Sequence, residues 1–161
     1  MAKEMSMTSR TGTANQLVAG YGTKGERLVA GIVPLSADKT RVLLIQSSRR
    51  NGWVLPKGGW ELDEASASVA AVREAWEEAG IICKVEKDLG HIPDTRPTTA
   101  VTKHAPKASY HFFEAVVTEE KDNWPEKNKR SRQWYAYAQA VQLLNSRPEL
   151  LEALRRSSVK K

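Results

Sequence analysis

Residues 66–80 read SASVAAVREAWEEAG, an alanine-rich run without proline and without glycine until Gly80, and no other stretch constrains the fold as strongly. Alanine is the best helix former, so the run predicts a helix from about Ser66 to Ala79 that Gly80 stops. At 100° per residue, with Arg73 at zero, Val69, Val72, Trp76 and Ala79 fall between about 240° and 320°. Glu77, Glu74 and Glu78 fall at about 40°, 100° and 140° by the same geometry. The expectation is a helix that buries its valine–tryptophan stripe and turns its carboxylates away from the core. Ala67, Ala70 and Ala71 share the carboxylate side and would leave room there for a ligand.

Three like charges on so short a segment repel unless a cation compensates. They also lie toward the helix C-terminus, where the macrodipole disfavours negative charge. The segment before them, PKGGWELDE, carries Gly58 and Gly59, which allow a backbone to come close to a ligand. A solvated acidic face is the plain reading of such a helix. The placement of the charge and the glycines favour a hard divalent cation instead, with oxygen ligands and retained waters. Such a site can neutralise a pyrophosphate and activate water.

The rest of the chain supplies a sheet for this helix. RLVAGIVPL (27–35), RVLLIQSS (41–48), WVL (53–55), IICKVEKDLGHI (81–92), SYHFFEAVVT (109–118) and QWYAY (133–137) read as strands. Pro56 and the two glycines predict the end of the third. AQAVQLLN and PELLEALRR read as closing helices, the second with proline in its first turn and basic residues at its end. Residues 94–107 form a loop long for a compact domain, and 123–132 a basic loop. The order implies an α/β (α+β) fold, a mixed β-sheet with helices packed on its faces.

At 161 residues, 40% hydrophobic and 27% charged, the chain is expected to form one folded domain, residues 25–158, behind a polar N-terminal arm, 1–24. No segment is apolar enough to span a bilayer, and the N-terminus does not read as a secretory signal. With Cys83 as single cysteine, expected to be a buried inert thiol, a cytoplasmic protein is expected, with the nucleus as a second compartment. A net charge of +6 suggests an anionic partner.

Gly58, Glu64 and the run Arg73-Glu74-Ala75-Trp76-Glu77-Glu78-Ala79-Gly80-Ile81 resemble the Nudix hydrolase pattern G-x5-E-x7-R-E-U-x-E-E-x-G-U, where U is bulky and apolar. Two departures stand out: eight residues separate Glu64 from Arg73, and the first U position is Ala75. The insertion leaves the role of Glu64 open. SRTG, SSRRNGWVLPKGGWE, HAPKASYHFFE and RPELLEAL extend the likeness to the fungal diphosphoinositol polyphosphate phosphohydrolases, which also cleave diadenosine polyphosphates and in some cases inorganic polyphosphate. The resemblance implies a Nudix-type α/β/α sandwich with the Nudix loop and helix.

It also implies roles by position. Glu74 and Glu78 would bind Mg²⁺, with Mn²⁺ or another divalent cation as alternatives, beside Glu77 and a backbone carbonyl at Lys57 or Gly58. Glu77 would be the general base, and Arg73 would hold a box glutamate in place. Phosphates would meet Arg10, Arg27, Ser47, Ser48, Arg49, Lys57, Gly58, Gly59, Lys107, Arg130, Arg132 and Arg147. His104 and His111 could touch phosphate, although a hydrogen-bonded histidine is the commoner case. The expected partner is a highly phosphorylated small molecule, met by a monomer, with no membrane and with nucleic acid only as a substrate. Two other readings are a hydrolase of capped RNA or nucleoside diphosphate derivatives, for which Trp60 would stack a base, and a non-catalytic inositol-pyrophosphate or RNA-binding module.

Overall fold

The computed structural model describes residues 6–7, 26–47, 52–61, 63–95 and 107–161. Its elements are β1 (Arg27–Leu35), β2 (Arg41–Gln46), β3 (Trp53–Val54), β4 (Lys57–Gly59), α1 (Ala67–Ala79), β5 (Ile81–Pro93), β6 (Ala108–Glu120), β7 (Arg132–Ala136), α2 (Tyr137–Leu143) and α3 (Pro148–Arg156). Among the described residues the strands form one mixed sheet in the order β3-β2-β1-β6-β5, with β4 added to β1 and β7 to β2. Its centre is the parallel pairing of β1 with β6, from Arg27 opposite Ala108 to Leu35 opposite Val116. β1 is buried along Val29–Leu35, whichever way its side chains point, so it is covered on both faces. Ile32, Leu43, Leu44, Ile45, Leu55, Phe112, Leu150 and Leu154 are fully buried in the core between sheet and helices. No helix is long and apolar enough to cross a membrane, among the described residues.

Two expectations need correction. β3 stops at Val54, before Pro56, as expected, but the glycines that follow are not a turn. They belong to a separate strand, β4, antiparallel to β1, with Val29 opposite Gly59, Ala30 opposite Gly58 and Gly31 opposite Lys57. The glycines serve a strand that runs beneath a helix, not a turn. The second correction concerns which side of α1 faces inward. Of the expected stripe Trp76 and Ala79 are buried, but Val69 is 49% exposed and Val72 half-buried, while Ala67, Ala70, Ala71, Ala75 and all three glutamates are buried too. The alanines allow α1 to lie close on β1 and β4, and the carboxylates go in with them. Trp76 is covered from the other side, its indole N–H donating to the Ser6 carbonyl at 2.6 Å.

Both helix ends are well made. The Ser66 hydroxyl accepts from the Val69 N–H, and Gly80 closes the helix in the left-handed conformation, φ 66°, donating to the Trp76 carbonyl. Trp124 packs over Gly80 so closely that a Cβ there would overlap its ring.

Candidate active site

Arg73 organises the carboxylates. Its Nε and Nη2 donate to the two oxygens of Glu64 at 2.7 and 2.9 Å, a bidentate pair. Nη1 donates to Glu74 at 2.8 Å and Glu77 at 3.2 Å, and Nη2 also reaches the Gly59 carbonyl at 2.8 Å. Burial works against the guanidinium charge, but Glu64, Glu74 and Glu77 outweigh it and hold the Arg73 pKa above its ordinary value. Glu64 also accepts from the Glu61 N–H at 2.9 Å, so it fastens the loop to the helix. Despite the extra residue before Arg73, Glu64 therefore has a definite place.

Glu74 and Glu78 form the inner part of the site. The Glu78 carboxylate accepts from the Lys57 backbone N–H at 3.1 Å and lies 3.7 Å from Nη2 of Arg130. Burial pushes its pKa up to about 7, against the pull of Arg130 and Lys57. Glu74 is pushed well above the carboxylate range by burial first and by the charge of Glu78 second. Buried oxygen Oε2 of Glu74 has no hydrogen-bond partner. Gly58 lies against this carboxyl group, and a Cβ there would run into it. Among the described residues no three acidic, imidazole or thiol groups already converge as ligands around one point. The donor set nonetheless fits a hard divalent cation: an orphaned carboxylate oxygen, a second carboxylate with a raised pKa, and a glycine backbone that approaches without a side chain between.

Positive charge gathers on the other side of Glu78. The Lys57 pKa is pushed down by burial, held up by Glu78, and pushed down further by Arg147, Arg27 and Arg130. Arg27 donates its backbone N–H to the Lys107 carbonyl at 2.7 Å, which places Lys107 at the same end of the central strand pair. Ser47 and Arg147 line one recess together with Gly52, Trp53, Val54, Leu143 and Ser146. Lys57 and Arg130 thus lie beside Glu78, and Arg27 and Arg147 are near enough for their charges to act on Lys57. Arg132 is engaged elsewhere. It donates to the Ala79 and Gly80 carbonyls at 2.9 and 3.2 Å, and its guanidinium sits 4.2 Å from the centre of the Trp124 ring. It closes the C-terminus of α1, with the Trp124 indole on the Glu78 carbonyl and the Glu126 N–H on that of Glu77. Arg10, Ser48, Arg49 and His104 lie outside the described residues.

Other expectations resolve locally. His111 bonds Asp88 through Nε2 at 2.7 Å, the commoner of the two readings for it. The Trp60 indole donates to the Glu64 carbonyl at 3.0 Å, and the ring packs on the core. Cys83 is half-buried rather than buried, and burial pushes its thiol up to about 12, which suits an inert group. Glu126 is the residue that sequence reasoning overlooked. It is buried and accepts from Arg130 Nε at 2.9 Å, and its spacing of four from Arg130 in a segment read as basic was the available signal.

The sequence and the fold match known proteins. The family model described as the NUDIX domain matches residues 25–156. The chain belongs to the Nudix family. It is a Nudix hydrolase of pyrophosphate bonds, and Nudix hydrolases generally need divalent cations. Nudix hydrolase 21, chloroplastic, of Arabidopsis thaliana is 37% identical over 147 residues, covering 88% of this chain and 70% of the plant protein. Diphosphoinositol polyphosphate phosphohydrolase 3-alpha of Homo sapiens is 32% identical over 112 residues, covering 68% of this chain and 63% of the human one. Among solved structures, the C. elegans Ap4A hydrolase has the same fold, with a TM-score of 0.58 at 23% identity over 80% of this chain and 93% of the other.

Proposed function

We propose that this Nudix hydrolase cleaves phosphoanhydride bonds of diphosphoinositol polyphosphates, releasing orthophosphate, and also cuts diadenosine polyphosphates, with inorganic polyphosphate as a third substrate. One observation carries the reading: Arg130 stands 3.7 Å from Glu78, Arg147 lines a recess with Ser47, and both act with Arg27 on Lys57, so several cations meet beside the carboxylates. Arginine suits this task because its planar fork meets phosphate oxygens in pairs. The 32% identical human relative named for diphosphoinositol polyphosphate points the same way.

Glu74 and Glu78, with Glu77 and a backbone carbonyl at Lys57 or Gly58, would hold Mg²⁺ or another divalent cation. When bound, that ion supplies charge neutralisation at the phosphate oxygens and acidifies water. The protein's own groups do the rest. Glu77 takes the proton of the attacking water, and Arg73 holds both Glu77 and Glu74 in place through Nη1. The arginines and Lys57 orient the substrate and offset its charge. The reading takes residues 25–158 as the catalytic unit, working as a monomer in the cytoplasm. Trp60, bonded to its own loop and packed on the core, gives little support to a base-stacking substrate site.

Phosphorus NMR of a diphosphoinositol polyphosphate with protein and Mg²⁺ tests the reading, beside Glu77→Gln. The expected result is loss of the diphosphate signals and growth of orthophosphate with the wild type, slowed at least a hundredfold in the variant. Unchanged diphosphate signals with active enzyme on another anhydride would reject this substrate.

A further inference from the structure

Both arginines at the rim of the site are held by buried carboxylates from their own segments. Arg130 donates Nε to Glu126 at 2.9 Å, and Arg147 donates Nε to Glu149 at 2.7 Å. Glu126 and Glu149 are 5% and 7% exposed. For a surface that must attract a polyanion this is costly, since each carboxylate cancels a charge the substrate would use. Local stability accounts for only part of it. Glu149 lies in the first turn of α3, where a negative charge is favoured, but Glu126 lies in a turn.

What the two pairs share is the nitrogen that is taken. Holding Nε leaves the Nη edge of each guanidinium turned outward from its glutamate. In Arg130 that edge spans from the Gln46 carbonyl at 3.0 Å to Glu78 at 3.7 Å. Glu126 also donates its backbone N–H to the Glu77 carbonyl at 3.0 Å, so its turn is tied to the helix that carries the glutamates. Arg147 lines a recess with Ser47 and Trp53, and its side chain also hydrogen-bonds Tyr110. An arginine free to rotate loses rotamer entropy on each phosphate it grips, and one already fixed does not.

We propose that Glu126 and Glu149 are positioning residues of the phosphate cradle, fixing the planes of Arg130 and Arg147 for a highly phosphorylated anion. The inference rests on the cradle assigned under the proposed function. Its signature is a sign. Removing a carboxylate near a bound polyanion strengthens binding if charge alone matters, and weakens it if orientation does.

The probe is inositol hexakisphosphate, titrated calorimetrically into metal-free protein, with thermal melting of every variant. Glu126→Ala and Glu149→Ala are expected to weaken binding about three- to tenfold, the weight of one side chain's rotamer freedom. Glu126→Gln and Glu149→Gln keep an oxygen for Nε and should restore binding to the wild-type level or better. Alanine variants that melt as the wild type does and bind as tightly or more tightly would overturn the proposal. Glu126→Asp and Glu149→Asp give a second route should the alanine variants be unstable. They keep the charge but withdraw the carboxylate from Nε, so a loss of about threefold or more supports positioning and wild-type affinity refutes it. Wild-type protein that binds no inositol hexakisphosphate would remove the cradle itself, a result distinct from tight binding that the variants leave unchanged.

Discussion

Arg73→Ala probes whether the glutamate cluster is a buried network or a set of surface ion pairs. The Arg73 side chain is 12% exposed, and those of Glu64, Glu74 and Glu77 are 5%, 1% and 2% exposed. Removing one partner from a buried pair costs about 3–5 kcal/mol, whereas an exposed pair contributes about 0–1 kcal/mol. For a domain of this size each kcal/mol moves the Tm by about 2–4 °C, so the expected fall is about 6–20 °C. Thermal unfolding by circular dichroism in EDTA at pH 7 measures it. Acidification gives a second handle. Glu74, already pushed up by burial and by Glu78, takes a proton as pH falls, and the charge that Arg73 was offsetting disappears. The gap between wild type and variant should therefore narrow toward pH 4. Arg73→Lys should lie between the two, keeping charge but losing the bidentate grip on Glu64. A fall of less than about 2 °C at pH 7, or a gap that widens in acid, would refute the reasoning.

Two further outcomes follow from the same site. Burial raises the Glu78 pKa from 4.5 to about 7, so its contribution to stability is full below about pH 4.5 and lost as pH rises through 7. Urea unfolding of metal-free protein should show up to about 3 kcal/mol less stability from this group at pH 8 than at pH 4, and saturating Mg²⁺ should recover it. Metal-free stability attributable to Glu78, taken as wild type against Glu78→Gln, that is level across this window would contradict the assignment. Gly58→Ala puts a methyl group into the Glu74 carboxyl while the strand pairing with Ala30 holds the backbone. It should cost about 1–3 kcal/mol and abolish the Mg²⁺-induced rise in Tm, and a variant with the full rise would show that Gly58 does not border the metal.

Much of the fold could be read from local pattern. β1 runs from Arg27 to Leu35 as its continuous apolar run indicates, and α3 from Pro148 to Arg156 as its terminal residues indicate. β4 escaped notice because two glycines and a preceding proline look like a turn, and only pairing with β1, distant in sequence, makes them a strand. The burial of the carboxylate side of α1 has a related cause. A helical wheel ranks faces by hydrophobicity, but here closeness of packing decides, and Ala67, Ala70, Ala71 and Ala75 pack closer than Val69 or Val72 can. The carboxylates then follow the alanines inward because Arg73, the Lys57 N–H and Arg130 receive them. Glu64 was visible at its motif position, yet its bidentate bond needed the loop's path. The spacing of four between Glu126 and Arg130 was legible, but their place beside the helix, like the engagement of Arg132 with its end, depended on a turn folding back over Gly80, which no periodicity encodes.

The alanine side of α1 sets a practical rule for anyone who wishes to re-engineer this enzyme. It works as a spacer with no slack: one added methylene at 67, 70, 71 or 75 would lift the helix off β1 and β4 and carry Glu74, Glu77 and Glu78 with it. Selection libraries should leave those four positions fixed and place diversity at the exposed Val69.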